Sequence, residues 1–256
     1  MTRFANHAAI VTGASSGIGR ATALALAEEG ASIAVVARDA AALESVVAEC
    51  ARAGGQAVAI VADLASAAGP ETIVRDTVAR FGGLNILINA AGIIAMGMTE
   101  STSDETWDRT MDLNLRAPFR LMRAAFPYLE ARRGAVVNVS SVNGRRVFPN
   151  LAAYNTSKAA LDQLTRCAAI DWAPVGVRVN AVNPGVTVTN LHRRSGMTEE
   201  AYAAFLARAR ETHPLGRPGQ ASEIAALILF LASEQAGWIT GETIAIDGGR
   251  HLTCAR

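Results

Sequence analysis

Short runs of apolar residues recur along this chain, separated by longer stretches in which alanine, leucine and charged residues mix at helical spacing. AAIVTG at 8–13, SIAVVA at 32–37, AVAIVA at 57–62, NILINA at 85–90, AVVNVS at 135–140, VRVNAV at 177–182 and TIAI at 243–246 read as strands. Nearly all are continuously apolar rather than alternating, the pattern of strands buried on both faces. Between them the pattern predicts helices at 20–30 (closed by Gly30), near 40–53 and 66–81, over roughly 103–130, and from about 151 to 172. With right-handed crossovers this order predicts an α/β fold: a doubly wound, parallel, seven-stranded sheet with helices on both faces, one domain over 1–256. The segment 186–219, rich in Arg, Thr, His and Pro, falls outside the alternation. An insertion at the carboxyl edge of such a sheet commonly covers a ligand site, so it is the predicted substrate lid.

Composition narrows the function classes. Half of the 256 residues are apolar but only 5% are aromatic, so the core must be mostly Ala, Val, Leu and Ile. A net charge of +1 gives no reason to expect nucleic acid or a membrane surface as partner. The longest apolar run, 224–232, is too short to cross a bilayer, and the N-terminus enters a strand without a signal-like segment. Cys50, Cys167 and Cys254 are odd in number and lack metal-ligand spacing, which points to a reducing compartment and to no metal site. A soluble cytoplasmic protein is expected.

TGASSGIG at 12–19 lies between the first strand and the first helix. Gly13 permits a tight turn, and Gly17 and Gly19 let a pyrophosphate approach the backbone where a helix N-terminus offers free N–H groups. Ser15, Ser16 and Ile18 complete that loop. An ordinary Gly/Ser turn has the same letters, so the context carries the inference. ADL at 62–64 and NAAG at 89–92 end the third and fourth strands on the same sheet edge. Asp63, with Leu64, suits an adenine ring, Asp63 accepting from the amino group; Asn89, Ala90 and Gly92 face the same crevice.

YNTSKAALDQL at 154–164 holds the one lysine of a chain whose other 23 of 24 Lys+Arg are arginines. Tyr154 and Lys158 are four apart and share a helix face. An ammonium is a compact cation with three rotatable donors, which arginine is not. That suits two ribose hydroxyls beside a phenol. A cation about 4 Å from a phenol at an effective dielectric of 20 is worth roughly 4 kcal/mol. Such an interaction, helped by the positive nicotinamide of an oxidised cofactor, would bring a tyrosine from its usual pKa near 10 toward neutrality, where acid–base catalysis works best.

These motifs, with NPG at 183–185, resemble the short-chain dehydrogenase/reductase family in their order along essentially the whole chain. The resemblance implies a Rossmann-like fold and a catalytic set of Asn114, Ser141, Tyr154 and Lys158. NVSSVNG offers Ser140 and Ser141, and the family spacing of thirteen residues before the tyrosine selects Ser141. Asn114 in MDLNL matches the family asparagine, which holds a water linking the lysine to solvent. Pro184, Gly185 and Thr189 match the family's PGxxxT, with Thr187 near the nicotinamide amide. Tyr154 and Lys158 also contact the cofactor ribose, and a homotetramer is implied. Pro118 removes the N–H that would bond the Asn114 carbonyl, so a helix distortion is predicted there.

Where the second strand ends, NAD-binding relatives carry an acid; here Ala37 stands in that place, with Arg38 next. Arg38 can grip a 2′-phosphate, with Ser15 opposite, so NADP(H) is favoured over NAD(H). Asp39 could turn inward or pair with Arg38, and Ser16 stands where many NADP-binding relatives carry a second base. The expected activity is hydride transfer between nicotinamide C4 and a ketone or secondary alcohol, as a carbonyl or 3-oxoacyl-type reductase. An NAD-dependent sugar or alcohol dehydrogenase of the same fold is the alternative; a non-catalytic cofactor-binding regulator would be expected to lack Tyr154 or Lys158. In the lid, Tyr202, Phe205 and Leu206 either wall the substrate or pack on their own core. His192, Arg193, Arg194, Arg145 and Arg146 either attract an anionic substrate or are solvated. The sequence leaves both questions open.

Overall fold

The computed structural model describes residues 2–66 and 68–253; of the residues singled out above, Cys254 lies outside them. Strands β1 (Ala8–Thr12), β2 (Ser32–Ala37), β3 (Gln56–Val61), β4 (Ile86–Asn89), β5 (Ala135–Val139) and β6 (Arg178–Pro184) follow the apolar runs. A short pair, β7 (Thr187–Val188) and β8 (Gly219–Gln220), precedes β9 (Thr243–Ile246). The seven longer strands form one parallel sheet in the order β3-β2-β1-β4-β5-β6-β9.

Successive residues of the strands point to opposite faces, so each strand feeds two cores. Val11, Ile33, Ile88 and Val137 pack under α1 (Gly17–Glu28), α2 (Ala40–Arg52) and α9 (Ala221–Ala232). Ile10, Val36, Leu87 and Val136 pack under α3 (Gly69–Phe81), α5 (Ala117–Arg132) and α6 (Ala152–Trp172). Burial on both faces explains the unbroken apolar runs of β1, β4 and β5. β3 departs from this: it is the edge strand, with Gln56 and Val61 exposed.

The chain order reverses between β1, whose neighbour is β2, and β4 on its other side. A crevice opens at the carboxyl ends of strands at such a switch point, and it places the site. The helical region expected over 103–130 is broken. α4 (Asp104–Met111) passes into a π-helical turn, Asp112–Arg116, before α5. The Ala117 N–H bonds the Asp112 carbonyl five residues back. Pro118 would otherwise have supplied the Asn114 carbonyl with its partner, and the chain widens there instead. Segment 186–219 contains β7, α7 (Leu191–Arg194), α8 (Glu199–Thr212) and the first residue of β8. Among the described residues no helix is long and apolar enough to cross a membrane, and no group of three or more His, Cys, Asp or Glu could hold a metal ion.

Candidate active site

The glycine loop turns from β1 into α1 by using two left-handed residues, Gly13 (φ 65°) and Gly17 (φ 56°). At Gly13 a side chain is excluded by space as well: a Cβ would lie 2.9 Å from the Ala90 carbonyl oxygen. At Gly19 a Cβ would lie 2.5 Å from the Gly13 carbonyl oxygen, so the first turn of α1 packs directly on the loop. Ser16, the N-cap, makes no side-chain bond to the helix, which leaves first-turn N–H groups open to a ligand. Thr12 ties this loop to the end of β4. Its hydroxyl donates to the Ile88 carbonyl (3.3 Å) and accepts from the N–H groups of Ala90 (3.0 Å) and Ala91 (3.1 Å).

Tyr154 and Lys158 project from the first two turns of α6 and are almost fully buried, at 7% and 4% exposure. The Lys158 Nζ donates to the Val139 carbonyl (2.9 Å) and stands 5.8 Å from the Tyr154 ring centre. One donor is thereby used and two remain. Burial pushes the ammonium down to about 8, opposed by the Asp162 carboxylate one turn along. Burial also pushes the Tyr154 phenol up, and the hydrogen bond with Ser141 pulls it back. Burial of the phenol works against the shift toward neutrality expected from Lys158 and an oxidised nicotinamide, because the same burial that isolates the lysine isolates the phenol.

Ser141 and Ser140 are separated by their partners. Ser141 bonds Tyr154 and accepts from the Asn143 N–H (3.1 Å), which fixes its hydroxyl at the start of a short turn, Val142–Gly144. Ser140 instead donates to the Lys158 carbonyl (3.2 Å). Asn114, in the π turn, is fully buried: its amide accepts from the Ile93 N–H (2.9 Å) and donates to the Ile93 carbonyl (2.9 Å) and to Ser157 Oγ (3.0 Å). A Cβ at Gly92 would stand 3.2 Å from Asn114 Oδ1, a tight contact, and 3.6 Å from Lys158 Nζ.

These parts surround one cavity of about 290 Å³. Of the sequence-predicted residues, Gly13, Ser16, Gly17, Ile18, Gly19, Ala90, Gly92, Ser141, Tyr154, Lys158, Pro184, Gly185, Thr187 and Thr189 line it. Ser15, Arg38, Asp63, Leu64, Asn89 and Asn114 do not. Asn89 is buried and donates to Asn138 Oδ1 (2.8 Å) in a network that runs on to Thr165, so its side chain faces the interior. Leu64 is likewise core. In the 186–219 segment, His192, Arg194 and Phe205 line the cavity; Tyr202, Leu206 and Arg193 do not. The Tyr202 hydroxyl donates to the Thr189 carbonyl (2.9 Å) and accepts from its N–H (3.2 Å), and Arg193 pairs with Glu199 while stacking on the Tyr202 ring. Arg145 bonds the Thr243 carbonyl and Arg146 those of Arg250 and Thr253; both brace the C-terminal part of the chain. Among the lining or supporting residues that the sequence reading missed are Phe148, Arg250 and His213, whose Nε2 accepts from the Val186 N–H (3.1 Å) behind the wall.

The family model described as enoyl-(acyl carrier protein) reductase matches residues 13–251. The 3-oxoacyl-(acyl-carrier-protein) reductase of Staphylococcus aureus is 39% identical over 95% of this chain and 98% of its own length. Cyclohexanol dehydrogenase of an Acinetobacter species is 38% identical over 96% and 95%. A solved short-chain dehydrogenase/reductase of unknown function from Caenorhabditis elegans, with cofactor, matches at a TM-score of 0.92 and 36% identity, covering 98% of this chain and 97% of that one. The chain belongs to the short-chain dehydrogenase/reductase family. It is an oxidoreductase of that family, whose relatives are named for reductase and dehydrogenase chemistry.

Short-chain dehydrogenases/reductases use nicotinamide dinucleotides, and the residues here fit one. The cradle at Gly13, Gly17 and Gly19 has no room or no tolerable backbone for a side chain, and the α1 N-terminus is uncapped. At the end of β2, Asp39 neither turns inward nor pairs with Arg38: its carboxylate accepts from the Ala42 N–H (3.0 Å) and caps α2. Arg38 is exposed and has no hydrogen-bond or ion-pair partner among the described residues.

Proposed function

We propose that this chain is an NADP(H)-dependent reductase of ketones, of the carbonyl or 3-oxoacyl type. One observation carries the reading: the Tyr154 phenol, the Ser141 hydroxyl and the Lys158 ammonium converge on the cavity that the phosphate loop also borders. Gly13, Ser15, Ser16, Gly17, Ile18 and Gly19 would hold the pyrophosphate, Arg38 the 2′-phosphate, and Asp63 the adenine. Ala90 and Gly92 would border the central part of the dinucleotide, Lys158 and Tyr154 its nicotinamide ribose, and Pro184, Gly185, Thr187 and Thr189 the carboxamide. The bound cofactor supplies the hydride.

The remaining chemistry belongs to the chain. Ser141 donates a hydrogen bond to the ketone oxygen and holds it within reach of Tyr154. Tyr154 gives that oxygen its proton, so the product is a secondary alcohol and the residue a phenolate. A phenol whose pKa burial has raised keeps its proton across the neutral range, so the proton a reduction needs is present. Lys158 orients the ribose and stabilises the phenolate; Asn114 holds the water through which a proton returns. The 186–219 segment covers the substrate. The chain assembles as a homotetramer, which sedimentation velocity would test.

The decisive assay follows nicotinamide absorbance with purified protein, NADPH or NADH, and a panel of ketones. Turnover with at least tenfold higher kcat/KM for NADPH is expected, since one charge-assisted bond from Arg38 is worth roughly 1.5–3 kcal/mol. No turnover of any ketone overturns the reductase reading. The resemblance to a cyclohexanol dehydrogenase supports running the same residues in reverse, so secondary alcohols with NADP⁺ and NAD⁺ complete the panel.

A further inference from the structure

Arg250 lines the cavity although it is only 8% exposed. Its Nη1 donates to the Thr212 carbonyl at 3.3 Å, and its guanidinium lies over the Phe148 ring at 4.8 Å. Phe148 lines the same cavity. No carboxylate is within ion-pair distance of Arg250 among the described residues. Asp247 acts on it only at longer range and is committed elsewhere: Oδ1 accepts from the Gly249 N–H (3.0 Å), and Oδ2 from the His251 N–H (2.7 Å) while facing His251 Nδ1 (2.9 Å). Two further cations, Arg146 and Arg208, repel it. Removing a guanidinium from water among like charges is costly unless an anion completes the site.

A second cation borders the same space. Arg194 lines the cavity, is exposed, and has no side-chain hydrogen bond or ion pair among the described residues. The same wall carries the apolar side chains of Ile94, Leu151 and Phe205. About 290 Å³ must accept the reacting end of the cofactor as well as the substrate, which restricts the latter to a small molecule.

We infer that the substrate is a small keto acid, its carboxylate received by Arg250 with Arg194 at the cavity border, and its ketone carbonyl presented to Ser141 and Tyr154. This rests on the reductase reading above. A planar guanidinium stacked on an aromatic face offers a fork that matches a carboxylate. Phe148 holds that fork in place and screens it from water, which strengthens its pull on an anion.

The test pairs each of pyruvate, acetoacetate and levulinate with its methyl ester. In the parent protein at least one acid should exceed its ester in kcat/KM by about 10- to 150-fold, the range of one charge-assisted bond. Arg250→Met should bring that ratio to one or below, and Arg250→Lys should keep part of it. If every acid is reduced no better than its ester by the parent protein, the inference is overturned, whether or not the variants fold. A second measurement needs no turnover: butyrate and butyramide are titrated calorimetrically into the protein with NADPH. Butyrate should bind at least tenfold more tightly, and Arg250→Met should abolish the difference. Equal binding of the two overturns the site. Inorganic phosphate binding more tightly than butyrate overturns the carboxylate in favour of a phosphoryl group. Arg250-dependent butyrate binding without reduction of any ketone leaves the anion site standing and removes the reductase reading instead.

Discussion

Lys158 is held by contacts that arginine cannot reproduce. Its ammonium reaches a single carbonyl, Val139, from a position with 4% exposure, and a planar guanidinium would have to displace that carbonyl or the Gly92 backbone beside it. Lys158→Arg should therefore lower kcat/KM by at least about 100-fold, the scale of a lost positioned acid–base group, despite keeping the charge. Near-normal steady-state kinetics in that variant would remove this account of the lone lysine. Tyr154→Phe tests the phenol separately. It should cost about 10²- to 10⁴-fold in kcat while nucleotide affinity, read by fluorescence titration, stays within about twofold. A parallel loss of nucleotide binding would show that the phenol anchors cofactor rather than donating a proton. The pair was legible in the sequence because i, i+4 spacing alone puts both side chains on one face. What sets their proton affinities was not. The phenol is raised by burial and pulled part of the way back by Ser141, thirteen residues away, and no local pattern reports either. Arg250 was missed for the same reason: DGGR reads as a turn followed by a surface arginine until Phe148 is brought beneath it.

At the level of elements, apolar runs located the sheet because its strands are covered on both faces, and the exception, β3, is the exposed edge. Helix interruptions were harder. A proline at 118 implied a distortion, but its form, a π turn with Asn114 inside it, is settled by how the Asn114 amide clips to the Ile93 backbone on a neighbouring segment. In the 186–219 segment, three-to-four spacing could not say which side of α8 meets the cavity; Tyr202 turned inward to bind both backbone groups of Thr189, leaving Phe205 on the wall. The junction of β2 and α2 makes the most direct prediction at this scale. Because Asp39 caps α2, Arg38 is left without a partner among the described residues, and on the proposed reading it meets the 2′-phosphate, with no repulsion from Ala37. Ala37→Asp combined with Arg38→Ala should reverse the nucleotide preference from at least tenfold for NADPH to at least tenfold for NADH in kcat/KM. Asp39→Ala should cost about 1 kcal/mol of stability as a lost cap, without changing the preference. A shifted preference in Asp39→Ala would mean that the aspartate reads the ribose after all.

For the molecule as a whole, the buried lysine sets stability against activity. An ordinary lysine titrates near 10.5, and Lys158 at about 8, because burial disfavours its charged form. The unfolded chain therefore binds that proton more tightly than the folded one, so the cost to folding is complete below about pH 8 and is released as pH rises from 8 to 10.5. At about 1.4 kcal/mol per decade of proton affinity, the gap corresponds to roughly 3 kcal/mol. Catalysis needs the opposite state: only the protonated ammonium can stabilise a Tyr154 phenolate and bind ribose hydroxyls as a three-donor cation. Lys158→Met removes the titration and the activity together. Denaturant unfolding of parent and variant at pH 8 and at pH 10.5 isolates the effect, since other titrating groups cancel in the difference. The parent should gain roughly 3 kcal/mol relative to Lys158→Met between those two values, while its kcat/KM for ketone reduction falls over the same interval. A stability difference that stays flat with pH would mean that the ammonium is not paying a burial cost, and an activity that holds above pH 9 would mean that the charged form is not the working one.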